Sequence, residues 1–258
     1  MSRPRTSTAE RVIPDHATPE VMLRKATLAR SSGQRAKYAR RGLEHDGNVD
    51  RTTRAMLLRQ LYLSHMEARR FNEALDVAEE MVQTGIMPDV ARQDAARACL
   101  GLGSREQAIE HLRLASRVSP PSRRAFHLWT LGSVLHLTGR HRDAIGALTR
   151  ASRWGTTDKP LYQGQLALAR IATGDAVRDL DELRERLAEA PCGQGYGQYV
   201  LGELAFEAGD LDAARRYLRA FVKRSSAGRV ALQVALAAEL QRSRRLLARI
   251  SRARARKS

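Results

Sequence analysis

The chain has 258 residues, of which 43% are hydrophobic but only 5% aromatic, so leucine and alanine must supply most of its core. It contains no run of about 18 apolar residues that could cross a membrane, and no apolar leader or early cysteine opens it. Its two cysteines, Cys99 and Cys192, exclude a disulfide framework and a cysteine-rich metal site. We therefore expect a cytoplasmic protein that needs neither a metal ion nor a cofactor.

The net charge of +17 is concentrated at the two ends of the chain. Residues 1–54 carry 12 basic and 6 acidic side chains, residues 55–228 carry 24 and 21, and the last 30 residues carry 9 and 1. The central part therefore has the charge balance of an ordinary soluble domain. Only 5 of the 45 basic residues are lysine, and this bias towards arginine is typical of a GC-rich genome, which indicates a bacterial source.

Residues 1–18 are polar and include Pro4 and Pro14, and we expect them to form a disordered N-terminal segment. From residue 19 to residue 228, apolar residues recur every three or four positions along pairs of segments that are separated by short turns. The units start 34 to 36 residues apart and lie near 20–54, 55–88, 89–122, 125–158, 160–193 and 195–228. Two short helices cannot bury their apolar faces alone, so this pattern predicts helical hairpins that stack on their neighbours.

The first three units share a small residue on the second helix, which is Ala39, Ala74 or Ala108. The unit from 89 also has Gly103 at the turn between its helices and Pro120 at its end. Glycine tolerates the positive φ of a tight turn, and a small side chain allows two helix axes to approach closely. The same residue types at the same places therefore predict one repeated structure.

The units from 125 and 195 are the most alike. Their identical residues lie 70 positions apart: Leu131 and Leu201, Gly132 and Gly202, Gly139 and Gly209, Ala144 and Ala214, and Leu148 and Leu218. The unit from 160 keeps Gly174 and a closing Pro191 but has Asp179 where a small alanine is expected. Because nothing strand-like precedes Gly193, Gly195 and Gly197, these glycines are typical of a turn between units and not of a phosphate-binding loop.

This pattern resembles the tetratricopeptide repeat, whose unit of about 34 residues has Leu-Gly on its first helix, Gly at the turn, Ala on its second helix and Pro at the close. The resemblance covers roughly residues 20–228. It implies an all-α, right-handed superhelical solenoid of stacked helix-turn-helix hairpins, with about six repeats and a C-terminal capping helix. An irregular helical bundle and another kind of helical-hairpin repeat are the alternatives.

In tetratricopeptide arrays the first helices line the inner face, at the second, fifth, ninth and twelfth or thirteenth positions of each unit. The resemblance therefore implies a protein-binding groove formed by Arg59, Leu63, Arg97, Phe126, Trp129, Ser133, His136, Leu161, Gln165, Leu168, Tyr196, Tyr199, Glu203 and Phe206. Aromatic side chains and arginine are typical anchors for a peptide or a helix. For Phe126 and Phe206, packing between helices is the alternative.

Residues 229–258 predict a C-terminal capping helix with a basic tail. The helix begins with apolar residues that could cover the open face of the last repeat. It then runs into Arg242, Arg244, Arg245, Arg249, Arg252, Arg254, Arg256 and Lys257. Such a run binds the phosphates of nucleic acid or anionic lipid, and a solvated helix end without a partner is the alternative.

Catalytic patterns are missing from the sequence. The 7 histidines are scattered, and none of them forms a metal-binding or nucleophile-activating motif with a neighbouring residue. Cys99 falls on the inner side of a first helix, where a small core residue is expected. We therefore expect a non-enzymatic adaptor or scaffold that binds one or more proteins through its groove, without a small-molecule substrate. The alternative is a regulatory factor that binds nucleic acid or anionic membrane through its basic tail.

Overall fold

The computed structural model describes residues 18–255 apart from Asp46, Asn48 and Arg229, and the regular structure of this part is entirely helical. Fourteen α-helices are found in the described part: α1 (Pro19–Leu28), α2 (Ser32–Leu43), α3 (Arg51–Glu67), α4 (Phe71–Gln83), α5 (Pro88–Leu102), α6 (Arg105–Val118), α7 (Pro121–Leu137), α8 (His141–Trp154), α9 (Lys159–Ala172), α10 (Leu180–Glu189), α11 (Tyr196–Glu207), α12 (Leu211–Ala227), α13 (Val230–Ala235) and α14 (Ala237–Ala255). The expectation of an all-α protein is confirmed. The disorder expected for residues 1–18 falls, except for Thr18, outside the described residues.

Each helix from α1 to α11 packs against the next helix along the chain. Further contacts join helices two apart, such as α1 with α3 and α9 with α11. Contacts between sequential neighbours are typical of helical repeat proteins, in which each hairpin buries its apolar face against the next one. Within the described residues, none of the helices combines the length and the apolar character needed to cross a lipid bilayer.

Small residues lie where successive helices come closest. Ala74, Ala108, Ala144 and Ala214, one on each of four second helices, have an exposed fraction of 0%. On α11, a Cβ atom added at Gly202 would lie 2.6 Å from the side chain of Leu218 on α12. The predicted close approach of the two helices of a hairpin is confirmed at these positions.

The turns between the paired helices share one geometry. Gly139, Gly174 and Gly209 have φ values of 83°, 83° and 78°. In each turn the next residue donates a hydrogen bond from its backbone N–H to a carbonyl five residues earlier, as Arg140 does to Leu135 over 2.8 Å. The turn between α3 and α4 has the same bond, from Arg70 to His65, but the left-handed residue there is Arg69, with φ of 56°.

The unit from 160 departs from the others at its turn. Asp179 does not lie on the second helix but precedes it, with φ of 53°, and α10 is therefore only 10 residues long. Gly193 and Gly195 lie in the connection from α10 to α11, which contains a 3-10 turn at Pro191–Gly193, and Gly197 lies in the first turn of α11. The predicted turn is confirmed for Gly193 and Gly195, whereas Gly197 is already helical.

The chain after α12 makes two different sets of contacts. Helix α14 buries Leu240, Leu246 and Ile250 in a cluster that includes Leu218 and Phe221 of α12. Helix α13 contacts α12 and α14, and it also contacts α3 and α5. Because a helix of six residues is only about 9 Å long, the stack must curve enough to bring α12 close to α3.

Candidate interaction groove

The predicted groove residues lie on five helices that are each the first of a pair. Arg59 and Leu63 are on α3, Arg97 is on α5, Phe126, Trp129, Ser133 and His136 are on α7, Leu161, Gln165 and Leu168 are on α9, and Tyr196, Tyr199, Glu203 and Phe206 are on α11. We use the term groove for the side of these helices that carries the named residues. The structure places polar, aromatic and charged groups on it in separate zones.

The α3–α5 end of the groove is organised by a buried acid that sequence analysis missed. Asp94 accepts hydrogen bonds from Arg59 Nε at 3.2 Å and from Arg97 Nη1 at 3.3 Å, while its backbone carbonyl accepts one from the Tyr62 hydroxyl at 2.9 Å. Burial raises the pKa of the Asp94 carboxyl, against the two guanidinium groups that favour its ionised form. Asp94 therefore fixes the directions of two partly exposed arginines.

A second buried acid joins α5 to α7. Asp89 accepts two hydrogen bonds from Arg123, at 2.7 and 2.9 Å, and its Oδ2 lies 2.9 Å from His127 Nε2. Burial opposes the ionisation of Asp89, but the bonds from Arg123 and His127 outweigh it and lower the pKa of the carboxyl. Burial lowers the pKa of His127 as well. This cluster fixes the relative position of two first helices and hence of the groove residues on them.

Aromatic side chains meet in the middle of the groove. The rings of Trp129 and Tyr196 lie edge to face with centroids 5.0 Å apart, and Tyr196 is 5.4 Å from Tyr199 in the same way. Tyr162, which sequence analysis did not select, stacks on Trp129 at 5.8 Å. Tyr199 is fully buried, whereas Phe126 is exposed beside Trp129. Phe126 therefore offers an open aromatic surface and does not pack between helices.

The remaining apolar groove positions are less open. Leu161 and Leu168 of α9 are buried in the hydrophobic core, and Leu63 of α3 is partly buried against a second core cluster. Phe206 is also partly buried, and the guanidinium of Arg249 lies over its ring at 4.8 Å from the centroid. The open part of the groove is therefore formed by Arg59, Arg97, Phe126 and the partly buried Trp129.

Several side chains of α7 and α9, among them Gln165, Ser133 and His136, have buried polar atoms without a hydrogen-bond partner among the described residues. The side-chain amide of Gln165 is completely buried, and neither its nitrogen nor its oxygen has a partner among the described residues. The Ser133 hydroxyl and His136 Nε2 are also buried and also lack a hydrogen-bond partner among the described residues. Such groups are typical of surfaces that bind polar atoms of a ligand or ordered water.

The C-terminal segment, which we define as residues 230–255, covers part of the groove. Arg242 Nε donates to Oε1 of the buried Glu203 at 2.5 Å, and the Tyr196 hydroxyl donates to Glu239 Oε1 at 3.2 Å. At the other end, Val234 of α13 packs against the cluster that contains Leu58 and Tyr62 of α3. The predicted groove is thus partly occupied by the chain itself, which its sequence did not indicate.

The charges under this segment are strongly perturbed. Burial raises the pKa of Glu239 to about 7, and it raises the pKa of Glu203 against the attraction of Arg242. Burial lowers the pKa of His136 to about 3, with help from the positive charge of Arg242. Near neutral pH, His136 is therefore uncharged, and Glu239 keeps its proton to a much higher pH than an exposed glutamate does.

The arginines of the predicted basic tail differ in their surroundings. Arg242 is used inside the molecule, while Arg244, Arg245, Arg249 and Arg252 are exposed on α14. The side chain of Arg254 and the whole of Arg256 and Lys257 lie outside the described residues.

The groove presents aromatic rings, arginine side chains and buried polar groups. Across the described part of the chain, no group of three or more His, Cys, Asp or Glu side chains is placed to hold a metal ion. Cys99 is fully buried in a hydrophobic cluster, as expected for a small core residue. No protein-family model matches the chain, and no curated protein matches it at a significant level.

Proposed function

We propose that the chain is a non-enzymatic adaptor of the tetratricopeptide type, a right-handed superhelix that acts in the cytoplasm and binds a helix or peptide of a partner protein in its groove. The observation that supports this most directly is that a helical segment, α14, already lies against Tyr196, Glu203 and Phe206 of the groove. Polar groups on the groove side of α11 therefore already pair with groups on a helix. The repeat spacing and the small residues between helices support the tetratricopeptide type.

The open residues of the groove supply the contacts for the partner. Phe126 and the partly buried Trp129 offer aromatic surface, and Arg59 and Arg97 offer guanidinium groups whose directions are fixed by Asp94. Oriented arginines and rigid aromatic rings bind with little loss of side-chain freedom. These groups favour a partner that carries acidic and apolar residues.

The test is to identify proteins that are crosslinked to the full-length chain and to measure how two groove variants change their recovery. Phe126→Ala and Arg59→Glu should each reduce recovery of a true groove partner about tenfold or more. The matched controls are Trp154→Ala and Arg142→Glu, because both residues are exposed on α8, away from the groove positions. Equal recovery with the groove variants and the controls, in folded proteins, would contradict the proposal.

A second candidate function is the binding of nucleic acid through a basic surface that is wider than the tail. Helices α12 and α14 pack together, and their exposed basic residues are Arg216, Arg219, Lys223, Arg224, Arg244, Arg245, Arg249 and Arg252. The apolar residues of α14, by contrast, are buried against α12. Because α14 has no free apolar stripe to insert into a bilayer, this surface favours nucleic-acid phosphates over anionic lipid.

A salt series distinguishes this candidate from groove binding. The full-length chain should bind a labelled DNA duplex with an affinity that falls steeply as salt rises, and Arg244→Glu with Arg245→Glu should weaken binding about tenfold or more. Phe126→Ala should leave duplex binding unchanged. If the double variant binds the duplex as the wild type does, the basic surface is not the site.

A further inference from the structure

The C-terminal segment does more than cap the array. A cap needs only to cover the last hairpin, and α14 does so by burying Leu240, Leu246 and Ile250 against α12. Capping does not require the contacts of α13 with α3 and α5, which belong to much earlier hairpins. Nor does it require that Glu239 and Arg242 point at Tyr196 and Glu203 of the groove. The segment therefore contacts the groove as well as the end of the array.

The polar contacts form a pattern that a helix of another protein could reproduce. Glu239 and Arg242 are three residues apart and so lie on the same side of α14, one turn from each other. The first meets a hydroxyl donor and the second a buried carboxylate, Glu203, whose exposed fraction is 2%. A buried carboxylate requires a cation, so any helix that replaces α14 must bring one to the same place.

The α13 part of the segment is weakly held. It is only six residues long, and none of its residues is buried. Val230 and Leu232 are 47% and 46% exposed, which leaves apolar surface in contact with water at this point. An isolated helix of this length is unstable in water, so α13 depends on its contacts with α3 and α5. The segment can therefore begin to leave the groove at α13.

We propose that residues 230–255 are an intramolecular ligand of the groove, and that the partner is an amphipathic helix that displaces them. This inference rests on the adaptor function proposed above and adds the chemistry of the partner. The partner helix carries a carboxylate and a guanidinium one turn apart, for Tyr196 and Glu203, beside leucine or isoleucine residues that replace those of α14. Until such a helix is present, the chain's own segment occupies the site.

The first test measures release of the segment in the full-length chain by hydrogen exchange. Arg242→Glu places a second carboxylate beside Glu203, so the amides of residues 230–255 should exchange at least about tenfold faster while those of α3 to α11 stay protected. Arg244→Glu is the matched control, because it makes the same charge change at an exposed site of the same helix. Adding Glu203→Arg to Arg242→Glu should restore protection of the segment.

The second test uses a fluorescent synthetic peptide with the sequence of residues 230–255 as the probe. It should bind the Arg242→Glu chain, whose Glu203 is intact and uncovered, about tenfold or more tightly than it binds wild type. A peptide with Arg242→Glu should not bind. Val234→Asp removes the contact of α13 with the Leu58 cluster and leaves the pair of Arg242 and Glu203 unchanged. This variant should also bind the peptide more tightly than wild type does.

The outcomes separate the two proposals. If Arg242→Glu and Val234→Asp both unfold the whole chain, or neither speeds exchange of the segment, the segment is a fixed part of the fold and the inference is overturned. If the segment is released but the peptide does not bind, the groove does not accept helices and the adaptor function itself is contradicted. A dimer of the released variant would make a second copy of this chain the occupant, and would overturn the assignment to a different partner.

Discussion

Arg69 stands 70 residues before Gly139 and occupies the same position in its turn, with φ of 56° where the glycine has 83°. A side chain with a Cβ atom is strained in the left-handed region, at a cost of about 1–2 kcal/mol. Arg69 is exposed, and it forms no ion pair with another described residue that could stabilise the turn. The turn between α3 and α4 is therefore kept in shape by the packing of its two helices.

Arg69→Gly should stabilise the protein. The relief of strain exceeds the entropy that glycine adds to the unfolded chain, so we expect a gain of about 0.5–1 kcal/mol in the free energy of unfolding. Urea unfolding followed by circular dichroism measures it. Arg219→Gly is the matched control, because Arg219 is also exposed but lies in the interior of α12, where glycine weakens a helix, and it should destabilise instead. A loss of stability with Arg69→Gly would contradict the account of this turn.

Ala144→Arg should strongly destabilise the protein. Ala144 is fully buried at the start of α8, so a long charged side chain overfills the contact and loses its water, at a cost of about 3 kcal/mol or more. Thermal melting checks this. The same substitution two residues later, Gly146→Arg, meets open space and should be neutral or slightly stabilising. If the two variants melt at the same temperature, Ala144 is not at a close helix contact.

Asp89→Ala should lower the free energy of unfolding more than the removal of an exposed acid that pairs with an arginine at the same spacing. Asp89 and Arg123 join neighbouring hairpins, as Glu106 and Arg140 do, and both pairs are separated by 34 residues. The first carboxyl is buried and the second is exposed. We expect Asp89→Ala to lower the free energy of unfolding by about 2–4 kcal/mol, since it leaves Arg123 and His127 without their acceptor, and Glu106→Ala by under about 1 kcal/mol. Equal losses of unfolding free energy in the two variants would show that the burial of Asp89 does not strengthen its contribution to stability.

Stability should depend on the ionisation of Glu239. Burial raises its pKa from the ordinary 4.5 to about 7, so the folded state holds a proton that the unfolded state releases. The folded state is therefore penalised as pH rises from about 4.5 to about 7, by on the order of 3 kcal/mol in total. Tyr196 and Glu203 of α11 and Arg97 of α5 are the polar groups near this carboxyl.

Glu239→Gln isolates this effect, because the amide does not titrate. The difference between the unfolding free energies of Glu239→Gln and wild type should grow in favour of the variant from pH 4.5 to pH 7 and then level off. Urea midpoints across this range provide the measurement. A difference that is independent of pH would mean that Glu239 keeps its ordinary pKa in the folded chain.

Much of the fold could be predicted from the sequence because its signals are local. Gly139, Gly174 and Gly209 mark turns that only a left-handed residue allows, and Ala144 and Ala214 mark close contacts that only a small residue allows. Arg69 shows the limit of this reasoning. The same turn forms there without glycine, because packing of the flanking helices outweighs the local cost.

The groove was harder to predict, because its contents depend on contacts between distant residues. Asp94 and Glu203 matter through arginines that other helices supply, which are Arg59 of α3 and Arg242 of α14. The sequence predicted a helix over the last repeat, but it did not predict the contacts of α13 with α3 or of Arg242 with Glu203, since the charge of the tail suggested a solvated helix end. One signal was present. Glu239 is the single acid among the last 30 residues, and it lies three residues before Arg242.

The contact of α13 with α3 has a consequence for the way the molecule loses its structure. In an open row of hairpins each unit is held only by its neighbours, so the row frays from its ends one hairpin at a time. Here α13 also contacts α3, so the C-terminal segment and the second hairpin are joined directly. An event at the C-terminus can therefore reach a hairpin that lies more than 150 residues earlier in the chain, while the packing of α3 on α2 and α4 keeps that hairpin folded when the contact with α13 opens.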